Sequence, residues 1–234
     1  MEQHPSGRLC VLDLPRNVGK AEAVRNGVLQ ARKMNPTYIA FWDADLATPL
    51  AMIPRFQEVL DRHPDLFLVI GSRVALLGRR IQRRWYRHAM GRTFATFASW
   101  VLGLPVYDTQ CGAKMFRVTP EVTTVFRLPF RSRWIFDVEI LARLTSHSDG
   151  EDTLSARQRI YELPLEEWHD VKGSKLKARD FARAAGELFA IHRDYRWRTW
   201  SGLSSTAKGT ERILNLPGDR HVDPTSKNQR RPAA

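Results

Sequence analysis

Residues 37–48 read T37-Y-I-A-F-W-D43-A-D45-L-A-T48. The first six form an apolar run of strand length, and it stops at an aspartate. In an extended segment side chains alternate, so Asp43 and Asp45 point the same way. Upstream, residues 20–33 carry helical periodicity with Val24, Val28 and Ala31 on the inner face, and residues 9–14 read as a short strand. Downstream, residues 50–62 read as a helix closed by Pro64, and residues 65–71 as a strand buried on both faces. Strand, helix, strand, helix, strand at these lengths predicts βαβ units and a parallel α/β sheet.

Carboxylates at the carboxyl end of a strand stand where open α/β sheets bind ligands. Two convergent carboxylates offer hard oxygen ligands to Mg²⁺ or Mn²⁺, which would grip a diphosphate. By itself a D-x-D is weak, because aspartate is also common in turns. One βα unit earlier, Asn17-x-Gly19-Lys20 places a permissive glycine and a cation near a helix start, where phosphate binds readily. It is not a P-loop: Leu14 stands at the first glycine position, and Ala21 replaces the Ser or Thr.

Beyond Arg73 the pattern changes. Residues 81–103 read as one long helix, basic first and apolar later, 136–146 as a helix, 158–163 as a strand and 177–198 as a basic helix with aromatics. From about Ser201 the chain reads as a disordered basic tail, giving a catalytic domain over 8–198 and a tail over 199–234.

The 234 residues suit one globular domain, and 43% apolar content supports a real core. Nowhere do about 18 uncharged apolar residues follow one another, so no membrane-spanning helix is predicted. The opening MEQHPSGR lacks the features of a signal peptide. Two cysteines, Cys10 and Cys111, make neither a disulfide framework nor a zinc cluster. The net charge of +12 concentrates in Arg73, Arg79, Arg80, Arg83, Arg84, Arg87 and Arg92, and again in Lys172, Lys175, Lys177, Arg179 and Arg183. Such charge attracts nucleic acid, anionic membrane or phosphorylated substrate. No nucleic-acid-binding motif accompanies it, so nucleic acid is not expected. Residues 93–104, TFATFASWVLGL, suit equally an interfacial helix behind a basic stretch and a core helix.

Taken in order, N17-V-G-K20-A-E-A-V-R25-N-G27, D43-A-D45-L-A-T48, G71-S-R73, D108-T-Q-C-G-A-K114-M-F, R133-W-I-F-D137-V-E139-I-L and W168 with G173-S-K175-L resemble glycosyltransferase family 2. The likeness is to its dolichyl-phosphate β-glucosyltransferase branch, with the dolichyl-phosphate mannosyltransferases close by, and covers roughly residues 8–195. The resemblance implies a GT-A, Rossmann-like fold that lacks its N-terminal part. It also implies an inverting transfer of glucose or mannose from UDP-glucose or GDP-mannose to a polyprenyl, dolichyl-type phosphate.

By motif match, Asp43 and Asp45 would hold Mg²⁺ or Mn²⁺. Asn17, Gly19, Lys20, Arg25, Asp43, Gln110, Trp168 and Lys175 would face the donor. Arg73 and Arg87 would face the acceptor phosphate, and Asp45 and Asp137 would complete the catalytic set, with Glu139 near the sugar. Asp108, Gln110 and Lys114 would shape the sugar and acceptor pocket. The mannosyltransferase glutamine is replaced by Ala47, which favours the glucosyltransferase branch. The acceptor phosphate, with a second pKa of about 6, is already mostly dianionic at neutral pH, so no strong general base is required. The likeness tips residues 93–104 toward a membrane surface, on the cytoplasmic face. It also leaves room for a partner that supplies the missing strands. The competing expectation is a non-catalytic remnant that binds membrane or a partner.

Overall fold

A computed structural model describes residues 2–3, 10–82, 85–146, 156–169 and 178–195. The side chains of 82 and of 85–93 in the long helix, and of 178–182, are outside that description. The expected tail at 199–234 and Lys175 lie outside the described residues, as do Arg83 and Arg84.

In chain order the elements are β1 (Glu2–Gln3), β2 (Cys10–Val11), α1 (Lys20–Arg32), β3 (Tyr38–Trp42), α2 (Ile53–Arg62), β4 (Leu68–Ser72) and β5 (Arg80–Gln82). There follow α3 (Trp85–Leu102), β6 (Ala113–Arg117), α4 (Pro120–Val125), α5 (Phe136–Ser146), β7 (Ile160–Pro164), β8 (Glu167–His169) and α6 (Ala178–Tyr195). The central sheet has the order β3-β6-β4-β7. β3, β4 and β7 run the same way, while β6 lies antiparallel between β3 and β4. The expected all-parallel sheet is therefore corrected to a mixed one. The two strands read from periodicity are parallel but not neighbours, because the motif segment 113–117 inserts between them. The expected strand over 9–14 is likewise reduced to Cys10–Val11, which pairs with Glu2–Gln3 outside the main sheet and leaves Val11 and Leu12 exposed.

Alternation along β3 builds both faces. Trp42 meets Phe56 of α2 edge-on at 5.0 Å. Phe41 lies on the opposite face, 6.0 Å from Phe116 and 6.1 Å from Phe136 of α5. Helices thus cover both faces of the sheet, as its continuous apolar strand β4, buried at every residue, requires. α3 shows one buried side, with Ala95, Ala98, Val101 and Leu102 in the core, and one exposed side that bears Phe97 and Trp100. The core reading of residues 93–104 holds for the buried side of the helix. No helix among the described residues is long and apolar enough to cross a membrane.

Because β6 is reversed, the carboxyl ends of β3, β4 and β7 share one edge of the sheet with the amino end of β6. Asp43, Arg73, residues 108–112 and the approach to Trp168 all follow or precede strands at that edge.

Candidate active site

The carboxylate of Asp43 sits just past β3, where its amide donates to the Gly112 carbonyl at 2.9 Å and extends the ladder by one residue. Its Oδ1 accepts the Lys20 ammonium at 2.6 Å. Lys20 opens α1, behind a turn in which Asn17 Oδ1 accepts from the Gly19 amide at 2.9 Å. Gly19 has φ +83°, a left-handed value that suits glycine alone. The predicted Asn17, Gly19, Lys20 and Asp43 are therefore brought together.

Asp45 is exposed, and its Oδ1 accepts from the Ala47 amide at 3.1 Å. Between them Leu46 adopts φ +53°, a strained choice for a leucine that the surrounding hydrogen bonds impose. The Leu46 amide donates to Asp43 O at 3.0 Å, and His169 N donates to Ala47 O at 3.0 Å. The end of β8 therefore anchors the loop that carries both aspartates. Ala47 itself is buried and contributes only its backbone.

The donor set suits a divalent cation. Asp43 Oδ2 and Asp45 Oδ2 receive no hydrogen bond from the described residues, and a cation, the Lys20 ammonium, already rests on Asp43. The described residues contain no group of three His, Cys, Asp or Glu able to hold a metal. Two carboxylates would therefore share the ion with oxygens from a diphosphate and water.

Arg73 grips Asp108 side-on, Nε to Oδ2 at 2.6 Å and Nη2 to Oδ1 at 2.7 Å, while its amide adds a 3.0 Å bond to Oδ2. Glu162 of β7 fixes this segment by accepting from the amides of Tyr107 at 2.7 Å and Asp108 at 2.8 Å. Burial opposes the charge on Arg73, but the Asp108 charge and its hydrogen bonds outweigh it and raise the guanidinium pKa above its ordinary value. The guanidinium also lies over the Trp168 ring at 5.4 Å, so two predicted residues from distant segments meet here. Arg87 lies in α3, and its side chain is outside the description.

Beneath this edge lies a second layer. Lys114 is fully buried, and its ammonium donates to Thr109 O at 3.1 Å, Cys111 O at 2.6 Å and Asp137 Oδ1 at 2.6 Å. Three donors are matched by three acceptors, so neither Lys114 nor Asp137 faces open solvent. Asp137, expected at the sugar, and Lys114, expected to shape the pocket, are placed beneath the site, where they hold up the 109–111 loop. Glu139 is similarly internal, accepting from the amides of Arg131 at 2.9 Å and Ser132 at 3.0 Å and from Arg143 at 2.7 Å. Arg25, expected at the donor, instead binds Glu22 at 2.8 Å and reaches the carbonyls of Phe126 and Arg127.

Several buried polar atoms at this edge lack a partner among the described residues: Trp42 Nε1, Ser72 Oγ, Thr109 Oγ1 and Gln110 Nε2. Most buried polar atoms in native proteins are hydrogen-bonded, so each of these calls for an explanation. Gln110 Nε2 is a donor without a partner among the described residues. Cys111, by contrast, is buried beside Gly71, and burial pushes its thiol up to about 11, so it remains an inert thiol. Sequence reasoning missed Gly112, whose Cα supports the Asp43 carboxylate. Its position inside the motif D108-T-Q-C-G-A-K114 was the only signal.

A mixed sheet with helices on both faces and an aspartate pair at its ligand-binding edge defines a GT-A, Rossmann-like domain. The family model for glycosyl transferase family 2 matches residues 1–122, and the chain belongs to that family. Among curated relatives, it is 30% identical over 184 residues to a dolichyl-phosphate beta-glucosyltransferase of Dictyostelium discoideum, covering 75% of this chain and 51% of the relative. It is 30% identical over 207 residues to one from Trichomonas vaginalis, covering 85% and 56%, and 28% identical over 184 residues to one from Homo sapiens, covering 75% and 51%. The chain spans about half the length of the curated relatives it matches.

Proposed function

We propose that the chain works as an inverting glycosyltransferase that moves a hexose from a nucleotide-sugar to a polyprenyl phosphate. The observation that carries this reading is the open pair Asp43 and Asp45 beside Lys20, at the ligand-binding edge of a family 2 domain. The names of the relatives and Ala47 favour glucose over mannose, with UDP-glucose as the donor.

In this reading Asp43 and Asp45 would hold a Mg²⁺ or Mn²⁺ ion, whose charge would offset that of the nucleotide diphosphate. Lys20 leans from Asp43 toward the same diphosphate. Gln110 turns its unpartnered amide to the sugar, Trp168 closes over the donor, and Arg73, lying over the Trp168 ring, faces the acceptor. Arg73 keeps Nη1 for the acceptor phosphate while Asp108 fixes its plane. The phosphate attacks the anomeric carbon in line, the bond to the diphosphate breaks, and configuration inverts. The rate gain comes from positioning and electrostatics.

The experiment supplies purified chain with Mn²⁺, polyprenyl phosphate and labelled UDP- and GDP-sugars, and counts label in the lipid phase. We expect transfer from UDP-glucose, reduced about 100- to 1000-fold in Asp45→Asn, as loss of one charge-stabilising group does. No transfer from any donor would leave the non-catalytic reading in its place.

The lipid acceptor calls for a membrane surface, and we place the chain on the cytoplasmic face. Phe97 stacks on Trp100 at 5.8 Å, and Trp100 stacks on His192 of α6 at 6.2 Å. Phe97, Trp100 and Phe189 are all exposed, and the exposed Arg183 and Arg193 lie on the same helix as Phe189. Aromatics with cations beside them suit an anionic interface. Phe97→Ser/Trp100→Ser is expected to weaken cosedimentation with anionic vesicles by about tenfold or more, since each ring removed forfeits roughly 1.5–3 kcal/mol of burial.

A further inference from the structure

We infer that Arg133 is a donor-diphosphate contact, acting beside Lys20; this rests on the proposed function. Among the described residues, other cations near the aspartates already have a carboxylate: Lys20 has Asp43, Arg73 has Asp108, Lys114 has Asp137 and Arg25 has Glu22. Arg133 is exposed and has no carboxylate or hydrogen-bond partner among the described residues. Its guanidinium nevertheless lies against the Asn17–Lys20 turn. A Cβ built on Gly19 would stand 3.5 Å from Arg133 Nε and 3.6 Å from Nη2. One residue later, Lys20 reaches Asp43.

The loop that presents Arg133 is held on both sides. Glu22 Oε1 of α1 accepts from the Phe130 amide at 3.0 Å, and Glu139 accepts from the amides of Arg131 and Ser132. Ser132 Oγ then accepts from the Ile135 amide at 2.7 Å. Ser132 and Ile135 are buried, so Arg133 stands out from a fixed base. A guanidinium offered this way loses little freedom when it binds, and its planar fork suits two phosphate oxygens. As its bond to the sugar breaks, a diphosphate beside Asp43 gains a negative charge beyond what one divalent ion cancels, and Arg133 supplies the balance.

The test is calorimetric titration of the whole chain, with Mn²⁺ present, using inorganic pyrophosphate and UDP as separate probes. Wild type, Arg133→Gln and Arg133→Lys are compared, with melting temperatures alongside. Arg133→Gln is expected to weaken both probes about tenfold with an unchanged melting temperature, and Arg133→Lys to recover part of the loss. Unchanged affinity in Arg133→Gln, where wild type binds, overturns the assignment of Arg133 alone. Equal weakening in both variants with a lowered melting temperature also overturns it, because the role is then structural. A wild type that binds neither probe overturns the diphosphate site itself and Arg133 with it.

Discussion

Lys114→Met is expected to lower stability by about 3–5 kcal/mol, because it strands the Asp137 carboxylate in the core. Lys114 is 0% exposed, and its three bonds are to Asp137 and to two carbonyls of the loop ahead of β6. Chemical denaturation at neutral pH measures the loss, and the melting temperature should fall by roughly 10 °C. Pairing it with Asp137→Leu removes the stranded charge and should return about half of the loss. The carbonyls of Thr109 and Cys111 stay unpaired and account for the remainder. A single variant within about 1 kcal/mol of wild type would show that the pair is not held as described. Diphosphate binding should weaken too, since the supported loop runs from Gln110 into Gly112.

Gly112→Ala is expected to reduce sugar transfer about 100-fold or more, with a much smaller effect on stability. A Cβ at Gly112 would lie 2.0 Å from both Cγ and Oδ2 of Asp43, and 2.6 Å from Oδ1. Real Cβ atoms do not approach that closely, so the carboxylate must swing away. The swing separates Asp43 from Lys20 and spoils the pair that would hold the metal. Gly112 is therefore glycine for space, unlike Gly19, where a left-handed backbone adds the demand. The check is transfer measured across a Mn²⁺ titration beside Asp43→Ala. The two variants should match, and a Gly112→Ala chain with wild-type transfer would refute the clash.

The pair Asp43-x-Asp45 after a five-residue strand was legible because alternation and strand termination are local properties. The turn Asn17-x-Gly19-Lys20 was legible for the same reason. Whether Asp137 or Lys114 touches substrate was not legible. Both belong to matched motifs, yet each is the other's partner across 23 residues. Arg25 shows the same confusion, since its role depends on a turn 101 residues away. Nothing near Arg133 in sequence reveals that it lies against Gly19.

By itself the sequence determined β3, α2 and the buried strand β4, the helices α1, α3, α5 and α6, and the carboxylates at the end of β3. These follow from periodicity and from the residues that end each element, which need no knowledge of distant neighbours. Tertiary structure decided that β6 enters the sheet reversed, between two strands that the strand–helix rhythm made look adjacent. It decided which motif residues face the site and which carry it, and that Asp43 rests on Gly112. It also decided that α3 turns its small residues inward and Phe97 and Trp100 outward. The physical reason is common to all of these. Burial, ion pairing and steric fit depend on groups far apart along the chain, and they take definite values only when the sheet brings those groups together.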